Sequence, residues 1–437
     1  MSKLTVSQGT ALSVGAVLGT GVISMPALAA TAGGPASLLA WLALVLLSAP
    51  MAGTFAALGA RHPDGGGVAT YVRLAFGART AAAVGWCFYF AVPIGSPVAA
   101  AFAGGYVADA FGGGRATMIG TFLGIIGIVC AMNWFGLRVS GRAQLALAGL
   151  LATLLLVTVC AALPHARLAN LSPFAPHGWS GVTAAAAVLV WGFVGWEAVS
   201  PLSAEYRNPR RDVPRATAVA VTVVGVLYLA VAAASVLVLG PALATSPAPL
   251  ADLLAVGVGG PVRIVTAVVA VLLTIGAVNA YLAGGSRLGV ALARDGALPG
   301  WLAGSQRRSL SMLTGGSVLA MLLPLGLHTS MLLTTGCFTL VYVIGMAAAL
   351  RLLPRGWARA GAGVSFAAVL ALLWLTGWPA LLSLVFAGGS LAYQAVRRRA
   401  SGAGRLSTRA TTASPDSIRS AVIAPNPNAN PVCAVDG

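Results

Sequence analysis

The feature that most constrains the fold is an interruption in the first long apolar segment. Residues 10–32 could cross a bilayer as one helix, which takes roughly 20 apolar residues. The centre of this segment reads Gly19-Thr20-Gly21-Val22-Ile23-Ser24-Met25-Pro26. Glycine weakens a helix and Pro26 lacks an amide hydrogen, so we expect the helix to break at mid-membrane depth. Because opened backbone is tolerated there only inside protein or beside a polar cavity, the break predicts a binding site for a small polar solute.

The composition requires lipid as the outer solvent. Of the 437 residues, 58% are hydrophobic and only 8% are charged, whereas soluble domains carry about 25% charged residues. A net charge of +17 would suggest a nucleic-acid partner for a soluble protein. Here the arginines lie in short loops and in the tail without interleaved aromatic residues, so we predict no nucleic acid. The chain is predicted to be an all-α polytopic membrane protein.

Hydropathy predicts twelve transmembrane helices, counted as windows of roughly 20 apolar residues. The spans cover residues 9–31, 35–60, 80–108, 116–134, 143–163, 180–203, 216–239, 262–286, 312–327, 330–350, 361–376 and 378–396. The last four are short or closely joined, so their boundaries are the least defined.

The distribution of basic residues predicts the orientation. With the N-terminus (residues 1–8) in the cytoplasm, only Arg115, Arg167 and Arg263 of the 26 cationic residues fall on the outer side. Short positive loops stay on the cytoplasmic side, so we expect a multi-pass membrane protein with both termini inside. Residues 397–437 are predicted to be a disordered cytoplasmic tail, because their Ser, Thr, Ala, Asn and Pro cannot bury a core.

Span 6 repeats the pattern of span 1. It contains Trp191-Gly192-Phe193-Val194-Gly195-Trp196-Glu197-Ala198-Val199-Ser200-Pro201, again two glycines followed by a proline. Equivalent breaks at the first position of two five-span units are typical of an inverted repeat with a midplane site. The predicted repeats are residues 9–163 and residues 180–327 continuing to about 350, which leaves 361–396 for spans 11 and 12.

Two facing breaks can bind a zwitterion. Helix N-termini suit a carboxylate, and freed carbonyl groups suit an ammonium group. We predict that the carboxylate meets amides around Thr20 and Gly21 and that the ammonium group meets carbonyls near Val17, Trp191 and Val194. Gly19 and Gly195 are predicted to bind substrate as well. The neighbouring residues Val194, Trp191, Trp196, Phe90 and Val98 are apolar, which favours a neutral amino acid.

Glu197 is the acidic residue of the confident spans that lies away from the membrane interfaces. A carboxylate at this depth costs roughly 2.5–3.5 kcal/mol and is a functional candidate by default. Burial disfavours its charged form, so Glu197 could carry a proton for coupling. The alternative is a gate or structural acceptor that bonds the opened backbone of span 1.

Three motifs together resemble the amino acid–polyamine–organocation (APC) superfamily. They are Gly19-Thr20-Gly21-Val22 with Pro26, Phe193-Val194-Gly195-Trp196-Glu197, and the cytoplasmic Glu205-Tyr206-Arg207-Asn208-Pro209-Arg210-Arg211-Asp212-Val213-Pro214-Arg215. Within it, the chain is most similar to the bacterial methionine and branched-chain amino acid exporters, which implies that it lies in the bacterial inner (cell) membrane. The resemblance implies a LeuT-like fold, a five-plus-five inverted repeat with substrate between broken helices 1 and 6. It also implies that Tyr281 covers the substrate; the alternative for Tyr281 is an interfacial or packing aromatic residue. Asn279 lies two residues earlier and is predicted to bond substrate or backbone, with a structural polar bridge as the alternative.

The expected function is secondary active export of neutral L-amino acids such as methionine, leucine, isoleucine and valine. Proton antiport is the leading mechanism, although span 5 has no lysine and span 8 has no adjacent Ser/Thr pair of the kind that relatives use for coupling. The alternatives are a proton-coupled uptake permease or an exchanger of the same superfamily. No enzyme activity, cofactor or metal site is predicted, since no catalytic cluster, CxxC pair or Walker-type GxxxxGK[ST] occurs.

Overall fold

The computed structural model describes residues 4–19, 21–63, 67–136, 141–198, 200, 203–259 and 262–412. Nearly all of these residues are helical. The helices, numbered in chain order, are α1 Val6–Leu18, α2 Gly21–Gly33, α3 Ser37–Arg61, α4 Val68–Phe76, α5 Ala78–Phe111, α6 Gly114–Trp134, α7 Gly141–Ala162, α8 Ser180–Phe193, α9 Pro209–Leu239, α10 Pro249–Val258, α11 Val262–Arg294, α12 Gln306–Leu322, α13 Leu327–Leu352, α14 Trp357–Leu375 and α15 Leu381–Thr412.

Each predicted span has a helical counterpart. Nine segments of the described chain are long and apolar enough to cross a membrane, and the first of them, Val6–Arg61, contains spans 1 and 2. Spans 6 and 9 correspond to the shorter helices α8, with 14 residues, and α12, with 17 residues. The all-α polytopic fold is therefore confirmed. The inverted-repeat boundaries stay a prediction.

The surface of the helix assembly is apolar. Large hydrophobic side chains are exposed on the later helices, including Leu322 at 75% and Trp374 at 86%. Exposing so much apolar surface to water would be unfavourable by about 25 cal/mol per Å², whereas lipid tails match it. The interior is packed by the largest aromatic side chains, among them Trp41, Phe55 and Tyr228.

Two pairs of glycines bring α2 and α8 into close contact. A Cβ atom on Gly21 would lie 2.7 Å from the Cα atom of Gly192, and one on Gly33 would lie 2.7 Å from the carbonyl oxygen of Gly181. Since Gly21 pairs with the end of α8 and Gly33 with its beginning, the two helices run antiparallel. Only glycine allows the backbones to approach this closely.

The N-terminal segment docks on the turn that follows α8. The amide of Leu4 donates a hydrogen bond of 2.9 Å to the carbonyl of Glu205. Leu4 and Tyr206 form a short parallel bridge, and the Tyr206 ring is buried against Gly9. The Glu205–Arg215 motif therefore holds the beginning of α1.

The chain forms two compact units, Met1–Ser390 and Leu391–Gly437. The described part of the second unit is the remainder of α15, which ends at Thr412. This differs from the disordered tail predicted from residue 397, because the arginines and alanines of 397–412 favour a helix and no proline interrupts it before Pro415. The rest of the predicted tail, 413–437, lies outside the described residues.

Candidate functional site

The first predicted break is present, and glycine marks it. Helix α1 ends at Leu18, and Gly19 has φ 11° and ψ −127°, which takes the chain out of helical geometry. Helix α2 begins at Gly21, so Pro26 lies inside it rather than at the break. Pro26 is tolerated because it removes only one hydrogen bond from the first turns of α2. Thr20, which was predicted to contact a substrate carboxylate, lies outside the described residues.

The second break follows α8. Val194 is extended, with φ −69° and ψ 134°, and Gly195 has φ 129°. This positive φ strongly favours glycine. Residues Trp196–Ala198 then form a short 3₁₀ turn. As in the first helix, glycine provides the conformational freedom that the break requires.

The two breaks contact each other. A Cβ atom on Gly195 would lie 2.8 Å from the carbonyl oxygen of Ala16, in the last turn of α1. Gly21, the first residue of α2, touches Gly192 in the last turn of α8. The amide end of α2 and the carbonyl ends of α1 and α8 therefore meet at one place. Such a junction presents both donors and acceptors.

Tyr228 of α9 links the carbonyl ends of the two broken helices. Its hydroxyl oxygen lies 2.8 Å from the carbonyl oxygen of Val17 and 2.6 Å from that of Gly192. Both carbonyls lie where the helix ends and the next-turn amide is missing. One hydroxyl hydrogen is shared between them. The ring of Tyr228 is held edge-on by Trp41 and Phe193, with centroids 5.2 and 5.1 Å away.

Glu197 is buried and bonds the backbone of its own break. Its Oε2 atom accepts a 2.9 Å hydrogen bond from the amide of Gly195. It also accepts a hydrogen bond from the hydroxyl of Tyr342 on α13, and that hydroxyl oxygen lies 3.1 Å from the Gly195 nitrogen. The structural alternative predicted from the sequence was that Glu197 bonds the opened backbone of span 1. In the structure it bonds the opened backbone of span 6 instead.

Tyr281 lies near this carboxylate, whereas Asn279 does not contact it in the described structure. Tyr281 interacts electrostatically with Glu197 and packs edge-on against Phe338 at a centroid distance of 5.8 Å. The amide oxygen of Asn279 accepts a 2.7 Å hydrogen bond from Asn133 of α6. Two residues along a helix point to different faces, which explains the separation. Substrate contacts by either residue stay a prediction.

The apolar residues predicted around the site have different neighbours. Trp191 packs edge-on against Phe102 at 5.8 Å. The indole of Trp196 is fully buried and donates a 3.2 Å hydrogen bond to Ser48. Phe90 stacks on Phe386 at 5.3 Å. Trp196 and Phe90 are therefore packing residues in this structure, and Trp191 lies in the last turn of α8 before the second break.

Sequence reasoning missed Tyr228 and Tyr342. Both side chains are buried in the middle of apolar helices. A phenol hydroxyl in such a place needs a hydrogen-bond partner, and that need was the available signal. The partners themselves are carbonyl, amide and carboxylate groups that only the helix breaks leave free.

Comparison with known proteins identifies the family of this chain. A sequence model of the family described as amino acid permease matches residues 4–402. The amino acid permease YecA of Bacillus subtilis (strain 168) is 34% identical over 407 residues, which cover 90% of this chain and 95% of YecA.

Two further relatives have names that include their substrates. The L-methionine/branched-chain amino acid exporter YjeH of Escherichia coli (strain K12) is 37% identical over 229 residues, 52% of this chain and 54% of YjeH. The branched-chain amino acid permease BcaP of Bacillus subtilis (strain 168) is 27% identical over 325 residues, 67% of each chain. These relatives are transporters rather than enzymes. The match over most of the sequence shows that this chain, a multi-pass membrane protein, belongs to the amino acid permease family.

Proposed function

We propose that this permease is a secondary active exporter of neutral L-amino acids of the methionine, leucine, isoleucine and valine class. The observation that carries the proposal is the contact between the breaks of α1–α2 and α8, where Gly21 touches Gly192. Substrate passes by alternating access between the two sides of the bacterial inner membrane, with both chain termini in the cytoplasm.

The helix ends bind the zwitterion. The N-terminus of α2 at Gly21 presents amide hydrogens and a positive dipole end to the carboxylate, together with Gly19 and Thr20. The ammonium group meets the carbonyls of the opposite ends, near Val17 and Gly192. Tyr228 already shares its hydrogen between these two carbonyls. Because a carbonyl oxygen has two lone pairs, each can accept the tyrosine and the ammonium group together.

The charge of the site favours a neutral side chain. Among the described residues at the breaks, Glu197 is the ionisable acid, and its Oε2 atom already accepts from Gly195 and Tyr342. A cationic substrate would need a free carboxylate in this buried place. The names of the relatives YjeH and BcaP also support branched-chain or thioether substrates.

The proposed driving reaction is proton antiport through Glu197. Support comes from its burial and from its hydrogen bonds to the break. Protonation adds a donor to a carboxyl group that now only accepts, so it would weaken the bond from Tyr342 and release the turn at Gly195. The competing role is structural, in which Glu197 holds the break and carries no proton. Uptake or exchange by the same site is the alternative function, which the permease BcaP supports.

Reconstituted vesicles distinguish these modes. Purified protein is placed in liposomes loaded with labelled leucine, and efflux is measured with and without an acidic outer buffer. Proton antiport predicts faster leucine efflux when the outside is acidic. Leucine accumulation from outside under the same gradient would instead identify an uptake permease, and efflux that requires external amino acid would identify an exchanger.

Binding is tested separately from direction. Thermal stabilisation of the purified protein is measured across a panel of amino acids, since a ligand that binds only the native state raises stability with its occupancy. Methionine, leucine, isoleucine and valine are expected to stabilise, whereas arginine and glutamate are not. Equal stabilisation by arginine would contradict the proposed substrate class.

A further inference from the structure

A cavity lies at the predicted cytoplasmic end of α11, formed by residues other than those of the helix breaks. Its volume is about 420 Å³, within the range of roughly 300–1,000 Å³ that is typical of ligand pockets. It is lined by Arg287, Val290, Ala291, Arg294, Asp295, Gly304, Ser305 and Gln306. The proposed transport function gives this cavity no role.

The cavity has an excess of positive charge. Arg287 and Arg294 are two helical turns apart on α11, so they lie on one face. The acid of the lining, Asp295, forms an ion pair with Arg73. In the part of the chain that the structure describes, no carboxylate pairs with Arg287 or Arg294. An anionic ligand would neutralise both groups.

Each arginine is positioned by one backbone contact. The Nε atom of Arg287 donates a 3.1 Å hydrogen bond to the carbonyl of Ala283. The Nε atom of Arg294 donates a 3.4 Å hydrogen bond to the carbonyl of Ala303. These bonds leave the terminal nitrogens of both guanidinium groups for a ligand. A guanidinium group matches the oxygens of a phosphate in two-point hydrogen bonding.

Polar groups of α12 complete the lining. The Nε2 atom of Gln306 donates a 3.0 Å hydrogen bond to Ser286, which fixes the side chain at the edge of the cavity. Ser305 precedes α12 and makes no capping hydrogen bond with its side chain. Its hydroxyl and the amides of the first turn add further donors to the two arginines.

The surroundings are typical of the depth of lipid headgroups. Trp301 is 53% exposed, and its carbonyl accepts a 3.0 Å hydrogen bond from Arg308. The Arg307 guanidinium lies 5.3 Å from the centre of the exposed Trp134 ring. Tryptophan concentrates at membrane–water interfaces, and basic pockets between helices at that level bind anionic headgroups.

We infer that this cavity binds a phosphate group through Arg287 and Arg294. Phosphate is supplied either by an anionic phospholipid such as phosphatidylglycerol or by a soluble phosphate compound, and the chemistry of recognition is the same for both. The site is separate from the amino acid site, so its ligand changes stability or conformational preference without competing with substrate.

The test uses the purified full-length protein and a variant that lacks both guanidinium groups, Arg287→Gln with Arg294→Gln. The matched control, Arg355→Gln with Arg359→Gln, removes the same charge from exposed positions outside the cavity. Thermal stability and lipid retention in native mass spectrometry are measured against phosphatidylglycerol, phosphatidylcholine, inorganic phosphate and glycerol 3-phosphate. A third variant, Arg287→Lys with Arg294→Lys, keeps the charge but loses the two-point geometry.

Phosphatidylglycerol is expected to stabilise the wild type and the control, and the apparent Kd is expected to rise at least about tenfold in the glutamine variant. The lysine variant is expected to retain part of the affinity, which also shows that substitution at these positions permits folding. If inorganic phosphate or glycerol 3-phosphate stabilises the wild type and the control but not the glutamine variant, and the lipid stabilises none of them, the ligand is a soluble phosphate compound. Equal effects in the glutamine variant and the matched control, or no stabilisation of the wild type by any phosphate compound, would overturn the inference.

Discussion

The hydroxyl of Tyr342 donates a hydrogen bond to the carboxylate of Glu197, and this bond joins α13 to the break that follows α8. The same carboxylate oxygen accepts the amide hydrogen of Gly195. A single atom therefore connects the opened backbone of span 6 to a helix 145 residues away in sequence. Any change in the protonation of Glu197 alters both bonds at once.

Replacing Glu197 by glutamine separates its two candidate roles. The amide oxygen can still accept the hydrogen bonds of Gly195 and Tyr342, but the side chain no longer gains or loses a proton. We expect substrate-induced thermal stabilisation to persist while the acceleration of leucine efflux by an outer acidic buffer disappears. A variant with the pH dependence of the wild type would assign Glu197 a structural role.

Tyr342→Phe is expected to destabilise the protein. The change leaves the ring packed near Phe55, at a centroid distance of 5.7 Å, but removes a hydrogen bond to a buried carboxylate. Hydrogen bonds to charged groups contribute about 1.5–3 kcal/mol. A double-mutant cycle with Glu197→Ala measures the coupling, because either single variant already removes this hydrogen bond and the double variant should lose less stability than the two single variants combined. Strict additivity would show that the pair does not act as a unit.

Tyr228→Phe tests the link between the two breaks. The phenylalanine keeps the contacts with Trp41 and Phe193 but leaves two buried carbonyls without their shared donor, at a cost of about 1–3 kcal/mol. We expect lower stability together with a changed Kd for leucine. The control is Tyr89→Phe on α5, which removes a 3.0 Å hydrogen bond between the Tyr89 hydroxyl and Ser309 of α12. It should lower stability and leave leucine binding unchanged, and a similar effect of both variants on binding would argue against a role for Tyr228 at the site.

Gly21→Ala is expected to impair folding and transport. Its Cβ atom would lie 2.7 Å from the backbone of Gly192, so α2 and α8 would have to move apart. At Gly53, inside α3, a Cβ atom meets nothing within 4 Å. Because alanine is favoured over glycine in helices by about 1 kcal/mol, Gly53→Ala should be neutral or stabilising. Thermal unfolding and leucine flux compare the two, and equal outcomes would contradict the close contact.

Alkaline pH is expected to release the N-terminal segment. Burial, with a further contribution from the charge of Asp212, raises the pKa of Tyr206 from 10.0 to about 12. A raised pKa means that the folded state favours the neutral phenol, so this contribution to stability is complete below pH 10 and is lost as pH rises towards 12.

Proteolytic cleavage before α1, followed as a function of pH, measures this release. Cleavage of the wild type should increase as the pH rises from 10.0 to about 12. Tyr206→Phe keeps the ring packed against Gly9 but removes the ionisable group, and it should abolish that increase. An identical pH profile for the variant would assign the release to other groups.

The sequence by itself determined the twelve spans and the positions of both breaks. Apolar length sets the spans, and the conformational freedom of Gly19, Gly21 and Gly195 sets the breaks, which are local properties of the chain. The buried acid Glu197 was likewise recognisable from its place in an apolar segment. Pro26 was less informative, since the break lies before it.

Only the tertiary structure decided which groups meet at the breaks. The Tyr228 hydroxyl donates to the carbonyl of Val17, 211 residues away in sequence. The Asn133 amide donates to the amide oxygen of Asn279, 146 residues away. Glu197 accepts a hydrogen bond from the amide of Gly195 in its own break, and its carboxylate is held there by the hydroxyl of Tyr342 on α13. These pairings depend on how helices pack side by side, and the order of apolar and polar residues along one helix does not specify its neighbours.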